Sequence, residues 1–309
     1  MARVLVLGYN ACDVICPVPS LPEPDSKLEV PAVYWGGGGP AATAAVALAK
    51  LGAEVRLVTV LTDDIPGRLQ REELEAAGVD FSLSTRVSGY RSPQAVILVN
   101  PDNEERTILW SRGNLPRLEP AAVNGQWLAG TDLLYLDSHE PRAALVLARE
   151  ASARGLPVVL DGGTARDGMA ELVPHCSDVI SSGIFAPRLT GQLEPVAALR
   201  SLARLGPRRV AMTFGKAGCL ALVGDAPVHV PAFEVPTCDT TGAGDVFHAG
   251  YAFARTLGLD WLPCLEYGSA VAALKCRDWG GRRGLPTRRE VETMLATGKR
   301  RSEKPSTTD

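Results

Sequence analysis

The sequence has no strong surplus of either charge, no long apolar run and no paired cysteines. Its 32 basic and 35 acidic residues leave a formal net charge of −3, so the balance does not point to nucleic acid or an anionic membrane as a partner. The 7 cysteines form no Cys-x-x-Cys pair, which favours buried thiols in a reducing compartment. No stretch approaches the roughly 18 apolar residues of a membrane span, and the apolar start is too short for a signal peptide. We therefore expect a cytoplasmic protein whose partner is a small molecule.

Two common glycine signatures of phosphate binding are also missing. A P-loop needs Ser or Thr directly after Gly-Lys, but Ala217 follows Gly215-Lys216 and Arg300 follows Gly298-Lys299. The run of glycines at 36–39 lacks the spacing and the later acidic residue of a dinucleotide-binding turn. These absences argue against a P-loop enzyme and against a dehydrogenase.

Compact apolar runs alternate with helix-compatible segments along most of the chain. The helical segments 40–51, 69–77 and 142–154 each end at a glycine, which is a common C-terminal stop. The apolar runs suit buried parallel strands, and the run at 219–223 suits an additional antiparallel strand. This rhythm predicts an α/β fold, with a doubly wound, mostly parallel sheet and helices on both faces. The predicted parallel strands are 4–7, 55–61, 133–136, 158–160, 179–181 and 210–214.

Two regions interrupt this rhythm. Residues 12–34 are rich in proline and extended, and residues 92–110 contain two strand-like runs joined by the turn-prone Pro101-Asp-Asn103. Neither region has a helical pattern. An ordinary surface hairpin is one interpretation of the second region.

The most informative segment is Asp239-Thr-Thr-Gly-Ala-Gly-Asp245, which is followed by an apolar, helix-compatible run. Its glycines let the backbone turn tightly and expose N–H groups at a helix N-terminus, where an anion such as phosphate is favoured. Asp245 comes directly after this turn and can take a proton from a hydroxyl that attacks the terminal phosphate of a nucleotide. The alternative is a helix N-terminus at which Asp245 is only a cap.

Two separate signatures resemble those of one family. DTTGAGDVFHAG at 239–250 is similar to the C-terminal signature of the ribokinase-like sugar kinases, or PfkB family, and GGGGPAAT at 36–43 is similar to its N-terminal signature. Between them, residues 213–218 resemble the family's Thr-x-Gly-x-x-Gly nucleotide loop. The resemblance covers about residues 4–291. It implies a ribokinase-like fold in which segments 12–34 and 92–110 form a small β-sheet lid over the sugar, excluding water.

The resemblance also implies roles for individual residues. Asp245 is expected to be the general base, with an anion hole at Gly242, Ala243 and Gly244. The nucleotide loop is expected to bind ATP through Thr213, Gly215 and Gly218, with added charge from Lys216.

Acceptor contacts are expected on the other side of the anion hole. Asp13 follows the first strand, where the family uses an Asp to hold sugar hydroxyls, although a simple turn Asp is the alternative. Gly38 and Gly39 would bring backbone N–H groups to the substrate, or could serve a tight turn. Thr43 stands where the family signature usually has Asn, so sugar contacts are expected to differ.

Metal binding departs from the family pattern. The Asn-x-x-Glu motif that organises magnesium in many members is replaced by Ser182 and Phe185. Mg²⁺ is still expected, because nucleotide phosphates and water can carry most of it. The resemblance also implies a potassium site at Asp239 and Thr241, with help from the loop near 275–281.

The pattern around both signatures resembles the sulfofructose kinases most closely, and Lys27 in the lid matches that branch. The branch's Asn and Arg, however, align with Leu109 and Ser138. If the acceptor is anionic, His139, Arg91 or Arg106 are the remaining candidates for its charge, each with a solvated surface role as the alternative.

The sequence therefore predicts an ATP-dependent kinase for a primary hydroxyl of a sugar, such as a ketose or sulfofructose. The alternatives are a nucleoside or sugar-acid kinase of the same family, or a ligand-binding pseudokinase with little turnover. We expect one kinase domain at 1–297, a disordered tail at 298–309 and a homodimer formed through the lid. Neither nucleic acid nor a membrane is expected as a partner.

Overall fold

A computed structural model describes residues 1–101 and 105–305, so most of the predicted turn at 101–103 lies outside the described residues. Its main feature is an eight-stranded sheet with the order β14-β13-β12-β11-β10-β9-β1-β4. All neighbours are parallel except the pairs that involve β13, which are antiparallel. The predicted, mostly parallel sheet is therefore confirmed. Its strands are β1 Arg3–Leu7, β4 Glu54–Val58, β9 Leu133–Asp137, β10 Val158–Gly162, β11 Asp178–Ser182, β12 Arg209–Thr213, β13 Cys219–Val223 and β14 Ala226–Val230.

Helices cover both faces of this sheet, as predicted. One apolar layer joins the sheet to α1, α7 and α8, and a second layer on the other face joins it to α3 and α6. Among the described residues, none of the helices has the length and apolarity needed to cross a bilayer. The helices are α1 Pro40–Leu51, α2 Ile65–Ala76, α3 Pro141–Ala153, α4 Met169–Leu172, α5 Phe185–Thr190, α6 Pro195–Ala203, α7 Ala243–Thr256, α8 Trp261–Lys275 and α9 Arg288–Thr297.

A separate four-stranded sheet has the order β3-β2-β7-β8 and is called the small sheet below. It contains β2 Ala11–Pro17, β3 Tyr34–Gly38, β7 Gln94–Asn100 and β8 Glu105–Ser111. These strands come from the two regions that interrupt the α/β rhythm. Alternate residues of β7 and β8 line a cavity under one face of the small sheet, and the residues between them lie on its other, outward face.

Three predictions about elements need correction. The predicted strand 55–61 breaks at Thr59, because Val60–Leu61 (β5) leaves the main sheet to pair with Thr85–Arg86 (β6). Helix α2 begins before the predicted residue 69, since the Asp64 side chain caps it by accepting from the Gly67 N–H at 2.9 Å. Strand β14 was not predicted at all. Only Val230 among its residues is buried, so no compact apolar run marks it.

The predicted disordered tail is also wrong in part. Lys299 O accepts from the Glu234 N–H at 2.9 Å, and the Arg301 N–H donates to Ala232 O at 2.8 Å. The guanidinium of Arg300 lies 3.6 Å from the centre of the Phe233 ring. Residues 299–301 therefore pack on the body of the protein, while residues 306–309 lie outside the described residues.

Candidate active site

Two cavities of about 550 and 590 Å³ meet at the carboxyl ends of β10, β11 and β12. This is the edge at which open α/β sheets bind ligands. The first, the acceptor cavity, lies under the small sheet and contains Asp13 and Asp245. The second, the nucleotide cavity, contains Gly215 and Gly218. Their shared lining residues are Arg106, Ser182, Thr213 and Gly244.

The turn before α7 exposes backbone donors between the two cavities. Gly242 is the N-cap residue with φ 72°, a left-handed conformation that glycine adopts without strain. Among the described residues, no protein acceptor pairs with the N–H groups of Gly242, Gly244 or Asp245. The N–H of Ala243 instead donates to Thr240 O at 3.1 Å, so this predicted donor already has a partner. The remaining free donors form an anion cradle at the N-terminus of a helix.

Gly244 contributes open space as well as a donor. A Cβ built on Gly244 would meet no protein atom within 4 Å, although the residue lines both cavities. At Gly242, by contrast, a Cβ would lie 2.9 Å from Gly281 Cα. Glycine is therefore needed at 242 for packing, and at 244 it leaves room for a ligand.

Asp245 is partly buried in the acceptor cavity and has an unusual electrostatic environment. Burial and the neighbouring carboxylate of Asp161 raise the pKa of Asp245 to about 8, while His248 opposes the shift. Burial also lowers the pKa of His248 to about 4, so this ring is neutral near pH 7. Its Nδ1 lies 3.3 Å from Asp161 Oδ2 without the alignment of a hydrogen bond. A carboxylate with such a raised pKa is suited to accept a proton near neutral pH.

Asp13, on β2 of the small sheet, supplies another carboxylate to the acceptor cavity. Burial raises its pKa to about 6, and the positive charge of Arg282 opposes this shift. No protein donor among the described residues hydrogen-bonds its carboxylate, which leaves both oxygens available for substrate hydroxyls. A Cβ on Gly38 would collide with this carboxylate, so Gly38 makes room for Asp13 rather than lining the cavity itself.

The Arg282 guanidinium packs against the glycine signature at 36–39. Its Nη2 donates to Gly38 O at 2.7 Å, and its Nε donates to Thr43 Oγ1 at 3.3 Å. A Cβ on Gly37 would collide with the guanidinium. Gly39 has φ 81° and lines the acceptor cavity, as does Thr43. The hydroxyl of Thr43 is thus held by Arg282 at the cavity wall.

The residues that the sequence offered as contacts for an anionic acceptor do not lie together in the structure. Lys27 and Arg91 are exposed and line neither cavity, and Leu109 faces outward from the small sheet. His139 does line the acceptor cavity, stacked on Tyr9 at 4.2 Å. Burial lowers the pKa of His139 to about 3, so it carries no positive charge there. Ser138 is buried, and its Oγ accepts from the Thr164 N–H at 3.3 Å.

Arg166 is the cation that the sequence interpretation missed. It lines the acceptor cavity, with its guanidinium 6.0 Å from the centre of the Trp110 ring. Its Nε is buried without a hydrogen-bond partner, and no carboxylate among the described residues forms an ion pair with it. Nearby, Arg112 and Arg117 share one carboxylate, that of Glu140. This end of the acceptor cavity therefore has an excess of positive charge.

The nucleotide cavity combines glycine turns with an apolar wall. Thr213 Oγ1 donates to Ser181 O at 3.3 Å, and the turn 215–217 follows, with positive φ at Gly215 and Gly218. Lys216 and Arg301, from the packed tail segment, also line this cavity. Its apolar lining residues are Phe233, Val235, Phe247, Ala272 and Ala273. Such a wall suits a planar base, and the glycine turns let phosphates approach the backbone.

Candidate metal ligands are few. Within residues 1–101 and 105–305, no group of three or more His, Cys, Asp or Glu side chains could hold a metal ion. Phe185 is fully buried in the core, and the Ser182 hydroxyl donates to Gly163 O at 2.6 Å. A magnesium ion in this site would therefore depend mainly on nucleotide phosphates and water, as the sequence suggested.

An anion cradle beside a carboxylate and an apolar cavity, at this edge of such a sheet, is the arrangement that a phosphotransferase requires. Residues 1–288 match the family described as pfkB family carbohydrate kinase, and the chain belongs to that family. It is a sugar or nucleoside kinase with the ribokinase-like fold.

Three relatives illustrate this membership. A deoxyribokinase from Salmonella typhi is 32% identical over 304 residues, covering 95% of this chain and 98% of the relative. An ATP-dependent ribose-1-phosphate kinase from Halopiger xanaduensis is 31% identical over 301 residues, covering 96% of this chain and 99% of the relative. The crystal structure of a candidate ribokinase from Agrobacterium tumefaciens is 30% identical in sequence, with a TM-score of 0.87. The match covers 96% of this chain and 97% of that one.

Proposed function

We propose that this kinase transfers the γ-phosphoryl group of ATP to a primary hydroxyl of a small sugar-like acceptor whose far end is anionic. The acceptor oxygen forms a bond to the γ-phosphorus, the bond from that phosphorus to the β–γ bridging oxygen breaks, and ADP leaves. Asp245 takes the hydroxyl proton. The position of Gly244 supports this assignment, because it lies next to Asp245 and lines both cavities.

ATP as the donor is supported by the shape and lining of the nucleotide cavity. The apolar wall around Phe233 and Phe247 suits adenine. The N–H group of Gly244, which lines this cavity as well as the acceptor cavity, has no protein acceptor among the described residues and is available to a phosphate. The Halopiger xanaduensis relative is named as ATP-dependent. When bound, Mg²⁺ neutralises charge on the transferred phosphate.

The unpaired guanidinium of Arg166 carries the proposal of an anionic acceptor. Desolvating a charge without a partner is costly, and an anionic group on the ligand offsets that cost with charge-assisted hydrogen bonds. Arg112 and Arg117 strengthen the positive potential, since Glu140 balances only one of them. A carboxylate, sulfonate or phosphate would suit this position. Sulfofructose and sugar acids thus remain within the proposed class, with Arg166 in the role first expected of Lys27.

We also propose that a second copy of the chain covers the outward face of the small sheet. The pairing register aligns Trp35, Val14, Val96 and Leu109 in one row across all of its strands. Trp35 and Leu109 are 53% and 58% exposed, which is unusual for large apolar side chains in a continuous row. Light scattering should give a dimer for the wild type and a monomer for Leu109→Lys. Val33→Lys, at a residue that is 49% exposed but outside the row, is the control.

An acceptor panel tests the proposed reaction. ADP release would be measured with ATP and Mg²⁺ for neutral acceptors (ribose, deoxyribose, fructose, adenosine) and anionic ones (sulfofructose, ribose 1-phosphate, 2-keto-3-deoxygluconate). We expect kcat/KM at least about tenfold higher for an anionic acceptor, in line with one charged hydrogen bond. If kcat/KM is higher for neutral sugars or nucleosides, the proposal of an anionic acceptor is wrong, while the assignment as a kinase is unaffected. A chain that binds ATP but phosphorylates none of them would favour the pseudokinase alternative.

A further inference from the structure

Lys275, the last residue of α8, is completely buried directly behind the anion cradle. Its Nζ donates to Asp239 O at 2.9 Å, at the start of the turn that leads to Gly242 and Asp245. Lysine is rarely fully buried without a functional or structural partner. Lys50 offers a comparison, since it also lies in the last turn of a helix but is exposed.

Asp239 is fully engaged by the protein. Its Oδ1 accepts from the Thr241 N–H at 2.8 Å, and its Oδ2 accepts from the Gly280 N–H at 2.8 Å. Its main-chain oxygen accepts from Lys275. All three oxygens of Asp239 therefore already have donors. The hydroxyl of Thr241, the other expected ligand, is buried without a hydrogen-bond partner, so one side-chain oxygen of the expected pair remains for an ion. One hydroxyl falls well short of the several oxygens that a hard cation takes, and the Lys275 ammonium occupies the cationic position.

Charges of both signs surround Lys275. Burial and the guanidinium of Arg106 lower the pKa of Lys275, whereas the carboxylates of Asp239 and Asp245 raise it. Asp239 thus provides the counter-charge, and the field of the ammonium reaches the catalytic carboxylate. A fixed positive charge behind the cradle also favours the charge that develops on a transferred phosphoryl group.

We propose that the Lys275 ammonium is a built-in monovalent cation that positions the 239–245 turn, so that phosphoryl transfer is independent of potassium. This inference rests on the phosphotransfer proposed above. It replaces the potassium site that the sequence suggested. Lys275 acts through Asp239 and the cradle, so it is a positioning residue rather than a catalytic one.

A salt series on the wild-type protein is the first test. Turnover with ATP, Mg²⁺ and the best acceptor of the panel would be compared in potassium, sodium and tetramethylammonium chloride at constant ionic strength. Calorimetric binding of the Mg²⁺ complex of a non-hydrolysable ATP analogue would be measured in the same salts. We expect both quantities to agree within about twofold across the salts. Stimulation by potassium of about fivefold or more would overturn the proposal and leave the phosphotransfer assignment intact.

Two variants separate positioning from simple packing. Lys275→Met keeps the volume but removes the charge, and we expect kcat to fall about 100-fold while acceptor KM changes little. Lys275→Ala leaves space for an ion, and its kcat should recover at least about fivefold in potassium relative to tetramethylammonium. Lys50→Met is the control and should match the wild type. A Lys275→Met variant with kcat within about twofold of the wild type would overturn the proposal.

Discussion

Arg106, on the small sheet, donates from Nη1 to Thr240 Oγ1 at 2.8 Å, in the turn that precedes α7. Its side chain lines both cavities, so this contact lies where the two cavities meet. The small sheet and the anion cradle are thereby connected by a charged hydrogen bond. A change at either end should affect both substrates.

Arg106→Ala tests this connection. We expect kcat/KM for ATP and for the acceptor to fall by about tenfold each, because a hydrogen bond from a charged donor contributes about 1.5–3 kcal/mol. Steady-state kinetics with each substrate varied in turn measures the effect. Arg91→Ala, an exposed arginine that lines neither cavity, is the control. A loss confined to one substrate would show that Arg106 serves that cavity alone.

The raised pKa of Asp245 predicts a pH dependence. The carboxyl must be ionised to accept a proton, and burial with Asp161 raises its pKa to about 8. Activity should therefore fall as pH decreases through this pKa, and kcat/KM should rise with pH between about 6 and 8. A pH profile of kcat/KM at saturating second substrate measures this. A profile flat down to pH 5 would contradict the environment described for Asp245.

Asp161→Asn should move this acidic limb to lower pH, because it removes the negative charge that helps to raise the pKa of Asp245. The readout is the midpoint of the pH profile rather than the maximum rate. Glu75→Gln, an exposed carboxylate on α2, is the control and should leave the midpoint unchanged. A shift to higher pH in Asp161→Asn would contradict the coupling.

Substitutions at Gly244 test the cradle. A Cβ there has free space in the protein, so Gly244→Ala and Gly244→Val should fold with an unchanged or slightly higher Tm. The added carbons occupy the space of the phosphates, so ATP affinity should fall with each step in size, while acceptor affinity changes little. Calorimetry with a non-hydrolysable ATP analogue measures both variants. Normal ATP binding by folded Gly244→Val would reject the cradle.

Arg166 and Lys27 form a pair of opposite predictions. Arg166→Gln should lower kcat/KM for an anionic acceptor by about 1.5–3 kcal/mol and leave the KM for ATP nearly unchanged. Lys27→Ala should have little effect, since Lys27 is exposed and lines neither cavity. Kinetics with sulfofructose and ribose 1-phosphate compares the two. The reverse order of effects would restore the original interpretation of Lys27.

The parts of the site that the sequence predicted lie in continuous motifs. Gly242, Gly244 and Asp245 are neighbours in the chain, so one turn and one helix start suffice to place them. Arg166 and Lys275 carry no such signal, because one follows β10 and the other ends α8, and each meets its neighbours only through the fold. The role of Arg166 depends on a side chain without a hydrogen-bond partner, and that of Lys275 on its burial against Asp239 O. Neither property can be seen in the spacing of residues along the sequence.

Lys27 is the opposite case, a predicted contact that the structure places outside both cavities. It lies in the irregular segment between β2 and β3, where no periodicity fixes the direction of a side chain. The main sheet was predictable because buried parallel strands leave compact apolar runs. Strand β14, in which only Val230 is buried, leaves none.

The most direct test of the account is the turnover of Asp245→Asn. This variant keeps the shape of the side chain and removes its ability to accept a proton, so kcat should fall by about 10² to 10⁴. Affinity for the ATP analogue and Tm should stay close to the wild type, because the cradle donors belong to the backbone. A loss of kcat with intact binding of the ATP analogue is the outcome expected of a general base. Turnover within a few-fold of the wild type would contradict Asp245 as the base.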